Sequence, residues 1–133
     1  IEGGCHCGHI TYEAEVDPDT CGICHCTDCQ RITGTAYRVT VRSLKGAFKL
    51  LSGQPTIYEK TAESGNKRAQ GFCPKCGTQL YATTVGNAEI YGIRVGTTRQ
   101  RAQLPPRRQV WCRSALDWAM NIDSLPKNPK QSA

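Results

Sequence analysis

The cysteines constrain this chain more than any other feature, because nine of them fall mostly in close groups along 133 residues. In order, the motifs are Cys5-x-Cys7, Cys21-x-x-Cys24-x-Cys26-x-x-Cys29 and Cys73-x-x-Cys76, followed by a solitary Cys112. An odd number of cysteines argues against a complete set of internal disulfides. Pairs two or three residues apart suit thiolate–metal ligation better than they suit the long-range disulfides of small secreted proteins. The sequence therefore predicts metal binding under reducing conditions, and we expect a cytoplasmic protein.

Two of the cysteine pairs are suited to a closed structural site. In CPKCG, Cys73 to Gly77, the spacing predicts a tight turn whose backbone N–H groups point at the sulfur atoms, and the glycine permits a left-handed conformation. In CHCG, Cys5 and Cys7 are two residues apart, so on a strand both side chains point the same way. Together the two pairs supply the four thiolates of a tetrahedral structural zinc.

The remaining cluster has a different character. Cys24, Cys26 and Cys29 form a C-x-C-x-x-C motif, which provides three ligands and leaves a fourth position open. Three protein ligands and one open position are typical of a catalytic zinc. The spacing alone does not establish which pair shares a metal with which.

The rest of the chain predicts a mainly β fold with little helix. Segments that alternate apolar and polar residues predict antiparallel strands, and a chain of this length is most simply one domain. One short C-terminal helix is predicted, with Ser114 as its N-cap and Asp117 three residues on. The domain is expected to span residues 1–125, and residues 126–133 form a polar tail. No apolar run reaches about 18 residues, so no membrane span is expected.

The formal net charge of +6 raises the question of nucleic-acid binding. Between Glu89 and Asp117 the chain has no acidic residue and six arginines, Arg94, Arg99, Arg101, Arg107, Arg108 and Arg113. Such a stretch indicates a solvated basic face, an anionic ligand or a nucleic-acid backbone. The basic residues are not interleaved with the aromatic residues that single-strand binding favours. A zinc-stabilised scaffold that binds nucleic acid or protein is therefore the alternative to an enzyme.

Several motifs together resemble one known family. In order they are GGCHCGHITYE, CHCTDCQRITG, LLSGQPTIYEK, GFCPKCGTQLY, RVGT and VWCRSALDW, and the resemblance covers about Gly3 to Asp123. This order resembles the glutathione-dependent formaldehyde-activating enzyme family, which also includes centromere protein V. The resemblance implies a β-tent fold, in which antiparallel sheets are pinned by zinc, with two zinc ions per chain.

The resemblance also implies roles for individual residues. Its structural zinc ligands match Cys5, Cys7, Cys73 and Cys76, and its catalytic zinc ligands match Cys24, Cys26 and Cys29. The implied reaction is that of a carbon–sulfur lyase or synthase, which adds glutathione to formaldehyde to form S-(hydroxymethyl)glutathione. Glutathione is an anion, so Arg31 and Arg38 are candidate partners of its carboxylates. The oligomeric state is not predicted.

The chain departs from the family pattern at two places. Cys21 is an additional thiol that is a candidate fourth ligand of the second zinc, a disulfide partner on metal loss, or a buried side chain. The second departure follows RVGT, where this chain has TRQRAQLPPRRQ and where Gln109 replaces a histidine often found in the family. We expect His25 to point away from the metal, His6 and His9 to lie outside the ligand shell, and both Cys112 and Trp118 to lie in or near the core.

Overall fold

Among the residues that the structure describes, the fold is an eight-stranded sheet with one short α-helix. The computed structural model describes residues 1–62 and 64–131. Its strands and helix are β1 Glu2–Gly4, β2 Thr11–Cys24, α1 Thr27–Thr33, β3 Arg38–Ser52, β4 Thr56–Thr61, β5 Lys67–Phe72, β6 Gln79–Thr84, β7 Gly92–Arg94 and β8 Arg108–Val110. The strand order is β1-β2-β3-β7-β6-β5-β4, and β8 pairs in parallel with the far end of β2. All other pairs are antiparallel, which confirms the mainly β prediction.

The long strand β2 continues through a motif that is typical of a turn. Asp17-Pro18-Asp19 lies inside β2 as a bulge. The pairing with β3 shifts there, since Asp17 lies opposite Arg42 whereas Gly22 lies opposite Thr40. The Asp17 side chain accepts a hydrogen bond from the backbone N–H of Asp19, which satisfies the bulged backbone locally. The bulge allows one strand to run from the amino-terminal edge to Cys24.

The α-helix lies in a different place from the predicted one. Helix α1 begins after Cys26 and ends at Gly34, whose φ of 68° closes the helix in the left-handed conformation. The segment after Ser114 forms only one 3-10 turn, Asp117–Met120. The prediction that Cys112 and Trp118 lie in or near the core was wrong, because Cys112 is exposed and Trp118 is 63% exposed.

The C-terminal residues described by the structure remain outside the core. After Met120 the structure has no further helix or strand through residue 131. Of the predicted tail 126–133, positions 132 and 133 lie outside the described residues. Within the described ranges, no helix has the length and apolar character that a bilayer crossing requires.

The core lies against one face of the central strands. Ile10, Val41, Leu80 and Ile93 are fully buried within it. An aromatic group fills the space beside them, with ring centroids 4.3–5.3 Å apart for neighbouring rings of Tyr12, Phe48, Tyr81 and Tyr91. Such offset-stacked and edge-on aromatic pairs contribute stabilisation in addition to that gained by burying their apolar surface. The four aromatic rings therefore form a packed part of the core.

The opposite face of the same strands is polar. On β3, Val41 packs into the core, whereas Arg38, Thr40 and Arg42 alternate with the valines and line a cavity. The neighbouring strand β7 places Arg94 opposite Thr40 and Gly92 opposite Arg42. One sheet therefore separates an apolar core from a basic cavity.

Close packing around Tyr81 makes Gly71 a sensitive position. A Cβ atom added at Gly71 would lie 2.4 Å from Cζ of Tyr81, whose ring packs edge-on against Phe48 and Tyr91. We expect Gly71→Ala to lower the free energy of unfolding by about 1–3 kcal/mol through overpacking. Gly96→Ala is the control, because a Cβ there meets no atom within 4 Å. Equal urea midpoints for the two variants would contradict this account.

Candidate metal centres and the adjoining cavity

The four-cysteine cluster, Cys5, Cys7, Cys73 and Cys76, joins two distant parts of the chain. The four sulfur atoms lie within 4.8 Å of one another. The Sγ atoms of Cys5 and Cys7 are 3.6 Å apart, and those of Cys7 and Cys73 are 3.8 Å apart. These separations exclude disulfides, whose sulfurs are about 2.05 Å apart. They match the separation of about 3.8 Å that follows from a tetrahedron with Zn–S distances of about 2.3 Å.

Backbone groups around the four-cysteine cluster favour thiolates. The N–H of Ile10 donates to Sγ of Cys5 at 3.2 Å, and the N–H of Lys75 donates to Sγ of Cys73 at 3.4 Å. The pKa of Cys76 is lowered to about 5, first because the Thr78 hydroxyl bonds to its sulfur. The turn is closed by Gly77, whose φ is 79°. The donor set fits a structural zinc, and ligation itself stays a prediction.

The three-cysteine cluster, Cys24, Cys26 and Cys29, forms where β2 passes into α1. Cys24 is the last residue of β2, Cys26 is the N-cap of α1, and Cys29 lies in the first turn of the helix. The three sulfur atoms lie within 4.8 Å of one another, and Sγ of Cys26 accepts a hydrogen bond from the N–H of Cys29 at 3.3 Å. A strand end followed by a helix start therefore gathers three thiols from six residues.

Arg38 supplies positive charge to the three-cysteine cluster. Its Nε donates to Sγ of Cys29 at 3.2 Å, and its Nη1 donates to the hydroxyl of Thr40 at 3.1 Å. The pKa of Cys24 is lowered to about 4, first by a hydrogen bond from Cys29 and further by one from Arg38. The site therefore favours a thiolate even though Cys24 is buried. This donor set fits a zinc ion with one open position.

Cys21 is not among the sulfur atoms that converge. It lies three residues before Cys24 on β2, so its side chain points to the opposite face of the strand. There it is fully buried in the core, and its thiol donates to the carbonyl of Leu104 at 3.3 Å. The structure thus places Cys21 as a buried side chain, one of the three alternatives that the sequence left open.

His25 also points away from the three sulfur atoms. Its ring is fully buried, lies edge-on to Tyr37, and has Nε2 2.8 Å from Oε1 of Gln109. Gln109 lies on β8, which pairs with the end of β2 that carries the cluster. The Gln109 side chain therefore contacts the ring of His25, the residue between the candidate ligands Cys24 and Cys26. His6 is exposed beside the four-cysteine cluster, and His9 is half-buried.

A cavity of about 490 Å³ opens beside the three-cysteine cluster. Cys24 and Arg38 form part of its wall, and the remaining charged residues of the wall are Arg42, Arg68, Arg108 and Glu89. Arg31 is exposed on α1 and is not part of this wall. The wall arginines other than Arg38 were not singled out as substrate residues from the sequence, because they lie far apart along the chain. Only Arg42 gave a signal in the sequence, since it alternates with Val39 and Val41 on β3.

The arginine-rich stretch from Arg94 to Arg113 does not share one environment. Arg94 is 93% buried and donates to Gln70 and Thr40, so its charge does not face solvent. Arg99 forms an ion pair with Glu2, and Arg107 forms one with Asp19. The nucleic-acid alternative stays a prediction, which a salt titration against duplex and single-stranded oligonucleotides tests.

The two candidate substrate arginines, Arg38 and Arg31, differ in their contacts, and this difference is testable. Arg38→Gln should weaken zinc affinity of the three-cysteine cluster about 10–100-fold, because a group that bonds a ligand atom tunes the metal site. Arg31→Gln is the matched control, since Arg31 is exposed on the adjacent helix. Competition with a chromophoric chelator measures both affinities. A loss of affinity in Arg31→Gln equal to that in Arg38→Gln would contradict the role given to the Arg38 contact.

Comparison with known proteins places the chain in a family. A crystal structure of a Rhodobacter sphaeroides protein is similar to it, with a TM-score of 0.64 and 21% sequence identity. The match covers 82% of this chain and 99% of that chain, and at this identity it shows a shared fold. Residues 1–114 match the family model described as glutathione-dependent formaldehyde-activating enzyme. The chain therefore belongs to the glutathione-dependent formaldehyde-activating enzyme family.

Proposed function

We propose that this chain is a zinc-dependent carbon–sulfur lyase or synthase that condenses glutathione with formaldehyde to S-(hydroxymethyl)glutathione and cleaves the same adduct. The observation that carries the proposal is the convergence of Cys24, Cys26 and Cys29 beside a basic cavity that Cys24 helps to line. A closed structural site would need no cavity and no fourth position for a substrate thiol. Family membership supports the same reaction.

The chemistry requires a thiolate at neutral pH. A free thiol has a pKa of about 8.5 and is a poor nucleophile while protonated. Bound zinc favours the thiolate form of a thiol placed in its coordination shell. In the synthetic direction the thiolate sulfur attacks the carbonyl carbon, the C–S bond forms as the C=O π bond breaks, and the oxygen takes a proton. In the reverse direction the hydroxyl loses its proton, the C=O bond re-forms, the C–S bond breaks and the sulfur leaves as a thiolate.

The residues of the chain have three roles in this proposal. The cysteines of the three-cysteine cluster hold the zinc, which we assign as one of two per chain. Arg38 contacts the cluster through Cys29 and offsets part of its negative charge. The cavity holds the body of the substrate next to Cys24, and a substrate held beside the reacting sulfur gains from proximity. Since metal-bound thiolates need reducing conditions, we propose that the protein acts in a compartment such as the cytoplasm.

The four-cysteine cluster completes the proposed domain. We propose that residues 1–125 form one zinc-stabilised β-tent, in which Cys5 and Cys7 hold the amino-terminal edge to the turn at Cys73 and Cys76. The short contacts across this cluster support that assignment.

Cobalt substitution tests the proposal directly. Protein loaded with two cobalt ions should show one thiolate site that ignores glutathione and a second whose visible spectrum changes when glutathione is added. NMR with labelled formaldehyde should then show faster formation of the adduct than in buffer alone. Two thiol-insensitive four-sulfur spectra, with no acceleration of adduct formation, would contradict the enzymatic function.

A further inference from the structure

One part of the cavity wall has little contact with the apolar core. Strand β8 is exposed along its length, yet both Arg108 and Val110 line the cavity. Among the described residues β8 pairs with β2 alone, so its other edge has no neighbouring strand. Leu104 is buried before the strand, whereas Trp111 after it is exposed. We call residues 107–114 the β8 segment. Since few apolar contacts hold it, hydrogen bonds must fix its position.

Backbone hydrogen bonds attach the β8 segment to the stretch of chain that carries the three-cysteine cluster. The N–H of Arg107 donates to the carbonyl of Cys21 at 2.8 Å, and the N–H of His25 donates to the carbonyl of Val110 at 3.1 Å. His25 lies between two candidate ligands, so the second of these bonds starts within the cluster. The cavity wall and the ligand-bearing loop are therefore hydrogen-bonded neighbours.

The side chain of Gln30 makes a further connection between the same two parts. Gln30 is half-buried on α1 and directly follows the candidate ligand Cys29. Its Nε2 donates to the carbonyl of His25 at 2.8 Å and to the carbonyl of Ser114 at 3.0 Å. A primary amide has two N–H donors, so one side chain satisfies both carbonyls. Gln30 therefore joins the end of the β8 segment to the loop between candidate ligands.

A strained residue lies between these attachment points. Trp111 has a φ of 58° and a ψ of 39°, and among the described residues it is the only non-glycine residue with a positive φ. This left-handed conformation is unfavourable for a residue with a Cβ atom, so it persists only where surrounding contacts fix the backbone. Here the carbonyls of Val110 and Ser114 are both hydrogen-bonded to the ligand-bearing part of the chain. Loss of the Gln30 contact should let the backbone at Trp111 relax.

We propose that Gln30 is a positioning residue that couples metal occupancy of the three-cysteine cluster to the order of the cavity wall. When the cluster holds a metal, Cys26 and Cys29 fix the start of α1 and with it the position of Gln30. Gln30 then holds the β8 segment, including Val110, in place beside the cavity. When the cluster is empty, the short helix is held less firmly and so is the wall that it supports. This inference rests on the metal site of the proposed function and does not depend on the reaction.

Amide hydrogen exchange, followed by mass spectrometry, tests the coupling without turnover. Peptides from the β8 segment should exchange about tenfold more slowly in protein with two zinc ions per chain than in protein from which a weak chelator has removed one. The reason is that ordering of a segment lowers the population of its open form. A tenfold change corresponds to about 1.4 kcal/mol.

Substitution of Gln30 tests whether this side chain carries the coupling. Gln30→Met keeps a side chain of similar length and removes both donors, so the β8 segment should exchange about tenfold faster than in the parent even with two zinc ions bound. Gln30→Glu places acceptors against both carbonyls, should give the same result, and is the second variant if Gln30→Met does not fold. Gln100→Met is the matched control, because the Gln100 amide donates to the exposed carboxylate of Glu2.

Trp111 gives a second measure of the same segment. The chain has two tryptophans, so Trp118→Phe leaves Trp111 as the only one. In this background, return of zinc to the emptied cluster should shift the Trp111 emission, because the ordered segment holds the guanidinium of Arg113 5.0 Å from the ring centroid. Gln30→Met in the same background should abolish most of the shift.

Kinetics distinguish a positioning role from a direct role in the chemistry. Gln30→Met should raise KM for glutathione about tenfold, because a binding wall that is ordered a tenth as often lowers the apparent affinity by the same factor. The kcat should stay within about twofold of the parent value, since the three-cysteine cluster itself is unchanged. A tenfold fall in kcat with an unchanged KM would contradict the positioning role.

The possible outcomes separate this inference from the proposed function. Exchange in the β8 segment that is the same with one or two zinc ions, or the same in the Gln30 variants as in the parent, would overturn the inference and leave the proposed function intact. Exchange and fluorescence that follow both zinc occupancy and Gln30, without acceleration of adduct formation, would support the inference and count against the proposed function alone.

Discussion

Cys73→Ser is expected to leave the chain without a stable fold. Cys73 is fully buried in the core, and its sulfur lies 3.8 Å from that of Cys7. Structural zinc contributes on the order of 10 kcal/mol in small metal-dependent domains, which is comparable to the whole stability of a typical domain of about 5–15 kcal/mol. Removing one thiolate from a four-thiolate site should therefore unfold the protein at 25 °C. Circular dichroism and urea denaturation measure the effect.

Controls for this first variant come from the same chain. Cys112→Ser should change the free energy of unfolding by less than about 0.5 kcal/mol, because Cys112 is exposed and outside both clusters. Treatment of the parent protein with a strong chelator should reproduce the Cys73→Ser phenotype. If Cys73→Ser retained the parent's urea midpoint, the four-cysteine cluster would have no structural role.

Cys26→Ser is expected to abolish activity while preserving the fold. Cys26 is the N-cap of α1, and a serine hydroxyl can accept the hydrogen bond that the N–H of Cys29 now donates to sulfur. The substitution therefore removes a thiolate and keeps the cap. Loss of the metal contribution, worth several kcal/mol in the transition state, should lower kcat/KM at least about 10³-fold.

Metal content gives a second measure of the Cys26→Ser variant. We expect the zinc content to fall from two ions per chain to one, with an unfolding midpoint close to that of the parent. Cys112→Ser is again the matched control and should keep both ions and full activity. Full adduct formation by Cys26→Ser would place the chemistry elsewhere in the molecule.

The close cysteine pairs were predictable from local spacing, whereas the joining of Cys5 and Cys7 to Cys73 and Cys76 was predicted from the resemblance to the family. Cys73 and Cys76 converge through one turn, and Cys24 and Cys26 lie at the junction of β2 and α1. The placement of Cys21 follows from the same strand geometry once β2 is known to reach Cys24. The burial of Cys21 in the core was not predicted, because it depends on β2 continuing through Asp17-Pro18-Asp19, a motif typical of a turn.

Other parts of the site depend on contacts that spacing does not encode. Helix α1 has only seven residues, too few for an apolar period, and its cap is a cysteine instead of the usual serine or aspartate. The cavity wall combines Arg42, Arg68 and Arg108 from three strands, so only the tertiary pairing brings them together. Trp118 was expected in or near the core, but among the described residues no strand or α-helix follows β8, and Trp118 lies 63% exposed in the 3-10 turn Asp117–Met120.

The short length of α1 has a thermodynamic consequence for the three-cysteine cluster. Isolated helices below about 12 residues are marginal in water, and this helix has seven, with a candidate ligand at its cap and another in its first turn. Occupation of the metal site should then add to the order that the N-cap already gives the helix. Amide hydrogen exchange in α1 should accordingly be slower when the three-cysteine cluster holds a metal, independently of the stability of the sheet.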